Sequence, residues 1–141
     1  KYRERYAEIG YAENTLYEGI ETSLRFLHSQ TASHLGICTT KPADMAQKIL
    51  EMFDLDQLFE FVSGGDIGIE KHQQLEQLLH DGTVSQNSLM IGDRFIDVRA
   101  AQRNQLQSVA VLWGYGSRVE LESEQPSYLL QSPPQIKELV D

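Results

Sequence analysis

Cysteine is nearly absent from this chain. Cys38 stands alone, which excludes an internal disulfide, argues against a cysteine-based zinc site and fits a reducing cytoplasm. The four histidines, His28, His34, His72 and His80, have none of the paired spacing of a helical zinc motif. No apolar run approaches the ~20 residues that a membrane-spanning helix requires, and no cleavable signal pattern opens the chain. Positive charge is also scarce: 12 Lys and Arg stand against 21 Asp and Glu, a formal net charge of −9. That excess repels nucleic-acid backbones and acidic membranes, so an anionic substrate needs a local cluster of cations.

What is present is a globular composition, 40% hydrophobic and 23% charged, with no repeat and no low-complexity linker. A chain of 141 residues suffices for one core, burying roughly 68–70% of the unfolded surface. Helical and strand-like segments alternate. A helix from Tyr17-Glu18-Gly19 to His28 carries Ile20, Leu24 and Leu27 on one face, and a buried strand is expected over His34 to Thr39. Pro42 suits the first position of a helix that carries Ala46, Ile49, Leu50 and Phe53 and ends near Asp54. Leu58 to Val62 reads as a strand, Ser63-Gly64-Gly65-Asp66 as a tight loop, and Lys71 to His80 as a helix with Leu75, Leu78 and Leu79 inward. Gly82 is its expected C-terminal stop, with Asp81 playing no catalytic part. Beyond residue 116 come an acidic run from Arg118 to Pro126, an edge strand at Tyr128 to Leu130, and a closing helix from Pro134 to Val140 with Ile136, Leu139 and Val140 able to face inward. Such alternation implies a parallel sheet.

The stretch from Ser88 to Gly116, SLMIGDRFIDVRAAQRNQLQSVAVLWGYG, organises the rest. It predicts a buried strand over Leu89 to Ile91, a turn at Gly92-Asp93, a helix from about Phe95 to Arg103, and a second strand from Ser108 to Leu112. Asp93 and Asp97 fall four residues apart, at the strand's C-terminal end and on the helix's first turn, where ligands of open α/β sheets bind. Two carboxylates so close need a cation or a hydrogen-bond network between them. Magnesium, which takes one or two carboxylates and completes its octahedron with water and phosphate, is one answer. The other is that Asp93 caps the helix and Asp97 is a first-turn acid favoured by the helix dipole.

MIGDRFIDVRAAQ followed by VAVLWGYGS resembles the fourth motif of haloacid dehalogenase-superfamily phosphatases, in their phosphoglycolate phosphatase-like branch, and the resemblance extends over nearly the whole chain. It implies a three-layer αβα, Rossmann-like core with a mainly parallel sheet, and it favours the metal reading: Asp93 holds Mg2+ directly, Asp97 often through water. Thr39, at the end of GICTTK, resembles the phosphate-binding hydroxyl of the second motif, with Thr40 beside it. Lys71 resembles the third-motif lysine that orients nucleophile and phosphate, although Glu70-Lys71-His72-Gln73 replaces the common Lys-Pro-x-Pro and Lys41 is a nearby competitor. Asn104 occupies a helix-ending position where relatives usually have glycine, and as the next-best residue for a left-handed turn it is expected to serve. Gly114-Tyr115-Gly116 is expected to form a loop beside the metal, and Trp113 to belong to the core. Residues 1–14 resemble the end of a helical cap and its linker, and residues 15–141 the core domain.

The family's reaction starts from an aspartate nucleophile in a DxDGT motif, through an aspartyl-phosphate, with the second aspartate protonating the leaving group. No DxD ends a buried strand here. Asp81-Gly82-Thr83 mimics the motif, but LEQLLH before it is helical in period. The missing strand is the central one of the family's order, between the Leu35 and Leu89 strands. Together with an opening on Lys1 rather than methionine, this leads us to expect a truncated chain, inactive alone, that closes its sheet by direct pairing, by a strand borrowed from a second copy as in a homodimer, or by an added peptide. The expected function is Mg2+-dependent hydrolysis of a small phosphorylated metabolite, phosphoglycolate first and a nucleoside 5′-monophosphate second. The alternative is a binding module that keeps the fold without catalysis.

Overall fold

The computed structural model describes residues 18–30 and 34–140. The expected cap helix and linker at residues 1–14 lie outside them. In chain order the described elements are α1 (Ile20–Ser29), β1 (Gly36–Cys38), α2 (Ala43–Met52), a 3-10 turn (Asp56–Leu58), β2 (Phe61–Ser63), α3 (Lys71–His80), β3 (Leu89–Gly92), α4 (Phe95–Arg103), β4 (Gln107–Val111), α5 (Arg118–Glu122), β5 (Tyr128–Leu130) and a closing 3-10 helix (Pro133–Val140).

All strand pairs are parallel, and they form two groups: β1 with β2, and β3–β4–β5 with β4 central. The expected gap between the Leu35 and Leu89 strands therefore exists among the described residues. Direct pairing across it, one of the three closures considered, is not found there. A cavity of about 380 Å3 lies between the two groups, lined by Gly36 and Cys38 of β1, Leu89, Met90 and Ile91 of β3, and Leu75 and Leu78 of α3.

Two apolar layers hold the groups together, one on each face. Successive strand side chains point to opposite faces, so Ile37, Val109, Val111 and Leu130 join Ile20, Leu24 and Leu27 of α1, Leu50 of α2 and Ile136 of the closing helix. On the other face Cys38 and Met90 meet Leu75 and Leu78 of α3 and Ala100 and Ala101 of α4. Each layer takes side chains from both strand groups. The result is the expected three-layer arrangement.

Several local expectations need correction. Leu58 belongs to a 3-10 turn rather than to β2: with Leu58 N–H bonded to Leu55 C=O at 3.0 Å, Leu55 and Leu58 both reach the core from one side of the turn. Pro42 lies one residue ahead of α2, as its N-cap. The left-handed residue after α4 is Gln105, with φ of 57°, while Asn104 has φ of −109°. Gln105 N–H bonds to Gln102 C=O and Leu106 N–H to Ala101 C=O, a Schellman ending. Asn104 instead donates its side-chain amide to Ala100 C=O at 2.9 Å and to His72 C=O at 3.1 Å, tying α4 to α3. The closing helix is 3-10, with Ile136 buried and Leu139 packed against the core. Gly82, with φ of +79°, ends α3 as expected, and Asp81 is exposed.

Candidate active site

Parallel strands bring their C-terminal ends to one edge of the sheet, and the expected site residues lie along it. Thr39 follows β1, Gly64 and Gly65 follow β2, and Asp93 follows β3. The loop after β4 brings Gly114, Tyr115 and Gly116 back against Asp93.

Asp93 is 3% exposed. Its carboxylate accepts the Tyr115 N–H at 2.9 Å, and its carbonyl accepts the Gly116 N–H at 3.0 Å. Gly114 makes this approach possible, because a Cβ there would overlap the Asp93 carboxylate. Asp93 is thus not the cap of α4, the alternative its position allowed; Arg94 is the N-cap. The capping acceptor comes from elsewhere, since Glu120 of α5 accepts the Phe95 N–H and Arg94 Nε, each at 2.9 Å. Burial works to raise the Glu120 pKa, but the bonds from Arg94 and Phe95 together with the Arg94 charge outweigh it and hold the carboxyl below its ordinary value.

Asp97 is 2% exposed and Lys71 1% exposed, and they face each other: Lys71 Nζ donates to Asp97 Oδ1 at 3.1 Å. Asp97 Oδ2 also accepts the Arg94 N–H at 3.3 Å, so the acid serves the helix start as well. Gly92 allows this carboxylate to lie against the strand end, where a Cβ would overlap it. The lysine and the acid come from helices packed against each other, α3 and α4. Between the two lysines considered, only Lys71 is buried against one of the carboxylates.

Thr39 is 1% exposed. Its Oγ1 accepts the Lys41 N–H at 3.2 Å, and the hydroxyl hydrogen has no acceptor among the described residues. Thr40, its neighbour, is exposed. Gln74 went unsingled by sequence reasoning, yet it is buried and bonded to the ends of both β1 and β2. The signal was there, as a glutamine three residues past Lys71 on the face that also carries Leu75 and Leu78.

The donor chemistry suits a hard divalent cation. Among the described residues no group of three or more His, Cys, Asp or Glu assembles into a full protein cage. Two carboxylates at a sheet edge, one of them already paired with an ammonium, match an ion that keeps most of its shell for water and phosphate.

A model of the haloacid dehalogenase-like hydrolases matches residues 1–111. The chain is 32% identical over 131 residues to a 5′-nucleotidase of Pseudomonas aeruginosa, covering 90% of this chain and 59% of that protein. It is 34% identical over 139 residues to a phosphoglycolate phosphatase of Nitrosococcus oceani, covering 92% and 61%. It thus spans about three-fifths of the length of these curated relatives. A solved structure from Clostridium difficile superposes with a TM-score of 0.84 at 30% identity, over 99% of this chain and 67% of that one. The chain belongs to the haloacid dehalogenase-like hydrolases.

Proposed function

We propose that this chain supplies the metal- and phosphate-binding half of a Mg2+-dependent phosphomonoester hydrolase of the phosphoglycolate phosphatase type. The observation that carries the reading is a set of buried polar groups on one strand edge: the Lys71–Asp97 pair, Asp93 beside it, and a Thr39 hydroxyl with its hydrogen unused. A buried donor without an acceptor costs about 1–3 kcal/mol, and a phosphate oxygen is a suitable acceptor.

In this reading Thr39 donates its hydroxyl hydrogen to a phosphate oxygen, with Thr40 alongside. Lys71 holds Asp97 in place and brings its positive charge to the phosphate and the nucleophile. Asp93, fixed by Tyr115 and Gly116, carries Mg2+. Bound magnesium neutralises charge on the transferring phosphoryl group. The phosphoryl acceptor is an aspartate on a further strand between β1 and β3, because none of the described strands ends in a DxD pair. A small phosphorylated metabolite is the substrate, with phosphoglycolate favoured and a nucleoside 5′-monophosphate second, the latter supported by the likeness to the Pseudomonas protein.

The test is phosphate release from phosphoglycolate, a nucleoside 5′-monophosphate and p-nitrophenyl phosphate with Mg2+. The 141-residue chain is expected to release none, and the same chain preceded by a strand ending in Asp-x-Asp is expected to release phosphate unless Asp93→Asn is introduced. Release by the unextended chain, lost in Asp93→Asn, contradicts the assignment of the nucleophile.

A further inference from the structure

We infer that Gln74 is a positioning residue that sets the geometry of the phosphate-binding strand end, an inference that rests on the phosphate reading of Thr39. The side chain is 7% exposed, a rare environment for a glutamine on a helix surface. Its single Nε2 lies 2.9 Å from Thr39 C=O, 2.9 Å from Ser63 C=O, 3.0 Å from Ser63 Oγ and 3.0 Å from Gly64 C=O. Two N–H hydrogens are thus shared among four oxygens gathered from the C-terminal ends of β1 and β2.

The need for such a clamp follows from the shortness of these strands. Each is three residues long, and the ladder between them continues past β1 through Thr39 N–H to Ser63 C=O at 3.0 Å and Gly65 N–H to Lys41 C=O at 2.8 Å. Apart from Ser63, the last residue of β2, the residues it joins, Thr39 to Lys41 and Gly64 to Gly65, have left regular structure. Thr39 C=O is buried and the Ser63 and Gly64 carbonyls are half-buried, and Gln74 supplies donors to all three.

Position on α3 gives the clamp its consequence. Gln74 lies one turn after Lys71, and both side chains leave the same buried face. Through Gln74 the helix grips the two-stranded group, and through Lys71 it grips Asp97 of α4, the helix that connects β3 to β4 of the three-stranded group. The two groups share no strand pairing among the described residues. Helix α3 therefore sets the distance from the Thr39 hydroxyl to the carboxylates, and Gln74 is the end of that link which holds Thr39.

Gln74→Met removes the donors at nearly constant volume, and Gln74→Glu replaces them with acceptors facing carbonyls. Leu78→Ala, on the same helix and buried but without polar contact to the strand ends, is the control for loss of packing. In the 141-residue chain, amide hydrogen exchange at Thr39 and Gly65 and affinity for inorganic phosphate are measured for all four proteins. For Gln74→Met the expectation is about tenfold faster exchange at both amides and about tenfold weaker phosphate binding, the equivalent of one to two lost hydrogen bonds. Gln74→Glu is expected to lose more. Leu78→Ala is expected to lower the melting temperature at least as far while leaving phosphate affinity within about twofold, since cavity costs fall on stability. Unchanged exchange in Gln74→Met, or an equal loss of phosphate affinity in Leu78→Ala, overturns the inference. A wild-type chain that binds no phosphate refutes the phosphate reading instead, and the exchange rates of Thr39 and Gly65 then decide the role of Gln74 alone.

Discussion

The two strand groups of this molecule solve the same problem by different means. In the β3–β4–β5 group the strands run three to five residues, pair continuously, and present Asp93 from a turn held by backbone donors of Tyr115 and Gly116. In the β1–β2 group two three-residue strands present Thr39 from a turn whose two backbone bonds to the β2 side are supplemented by one side chain, Gln74. Backbone bonds hold the Asp93 side of the site, whereas the Thr39 side adds a helix-borne amide to its backbone bonds. A site divided in this way depends on the helix α3 that reaches both parts.

The sharpest way to break that dependence is Lys71→Ala. It leaves the Asp97 carboxylate buried without its ammonium, and removing one partner of a buried pair typically costs ~3–5 kcal/mol. Chemical denaturation of the purified protein reads this loss. Lys41→Ala is expected to cost less, because Lys41 is half-exposed and the substitution keeps its backbone bonds to Thr39 and Gly65. In an extended, active chain the same pair separates in turnover, with Lys71→Ala the far worse.

Gly114→Ala acts on the Asp93 side. The added Cβ overlaps the Asp93 carboxylate, so the acid must turn away from its bond with Tyr115, and a roughly 10–100-fold loss of Mg2+ affinity is expected by analogy with other outer-shell changes. The overlap also reaches the Asp93 Cβ, which no side-chain rotation moves away, so the melting temperature is expected to fall as well. Calorimetric titration with Mg2+ and a thermal melt, run together, distinguish the two.

These expectations also mark what the sequence made legible. The run from Leu89 to Arg103 combines a buried strand, a Gly-Asp turn and an amphipathic helix, each signalled locally, and α4 begins and ends at Phe95 and Arg103 as the pattern implies. The burial of Asp93 and Asp97 follows from the same run. Leu58 was not legible as a turn residue, because an apolar residue at the head of LFEFV satisfies a strand pattern as well as a 3-10 turn. Nor was Gln105, whose left-handed backbone is set by the Schellman bonds closing α4 rather than by its own side chain. The partners of Glu120 and Gln74 were illegible for a simpler reason, although the place of Gln74 on the buried face was readable: they lie 25 and 35 residues away, and only the fold brings Phe95 and Thr39 within reach.

Glu120 offers a milder test, through pH. Its carboxyl is held below its ordinary pKa, so its contribution to stability is fully present above the unfolded value and is lost as pH falls through the lower, folded one. Glu120→Gln should therefore flatten the fall in stability through the acid range while costing little at neutral pH. Melting temperatures of both proteins across that range give the answer; parallel curves contradict it. The smallest effect is expected for Ile67→Ser: at 98% exposure, in the loop before α3, it should stay within ~0.5 kcal/mol of the parent and leave both sides of the site unchanged.

The central claim is that Asp93 carries the cation while Asp97 is engaged by Lys71. Calorimetric Mg2+ titration of the wild-type protein, Asp93→Asn and Asp97→Asn tests it most directly. The account predicts that Asp93→Asn loses Mg2+ binding almost entirely and that Asp97→Asn keeps a substantial part of it, the second acid acting through water. Equal losses in the two variants, or a greater loss in Asp97→Asn, contradict it.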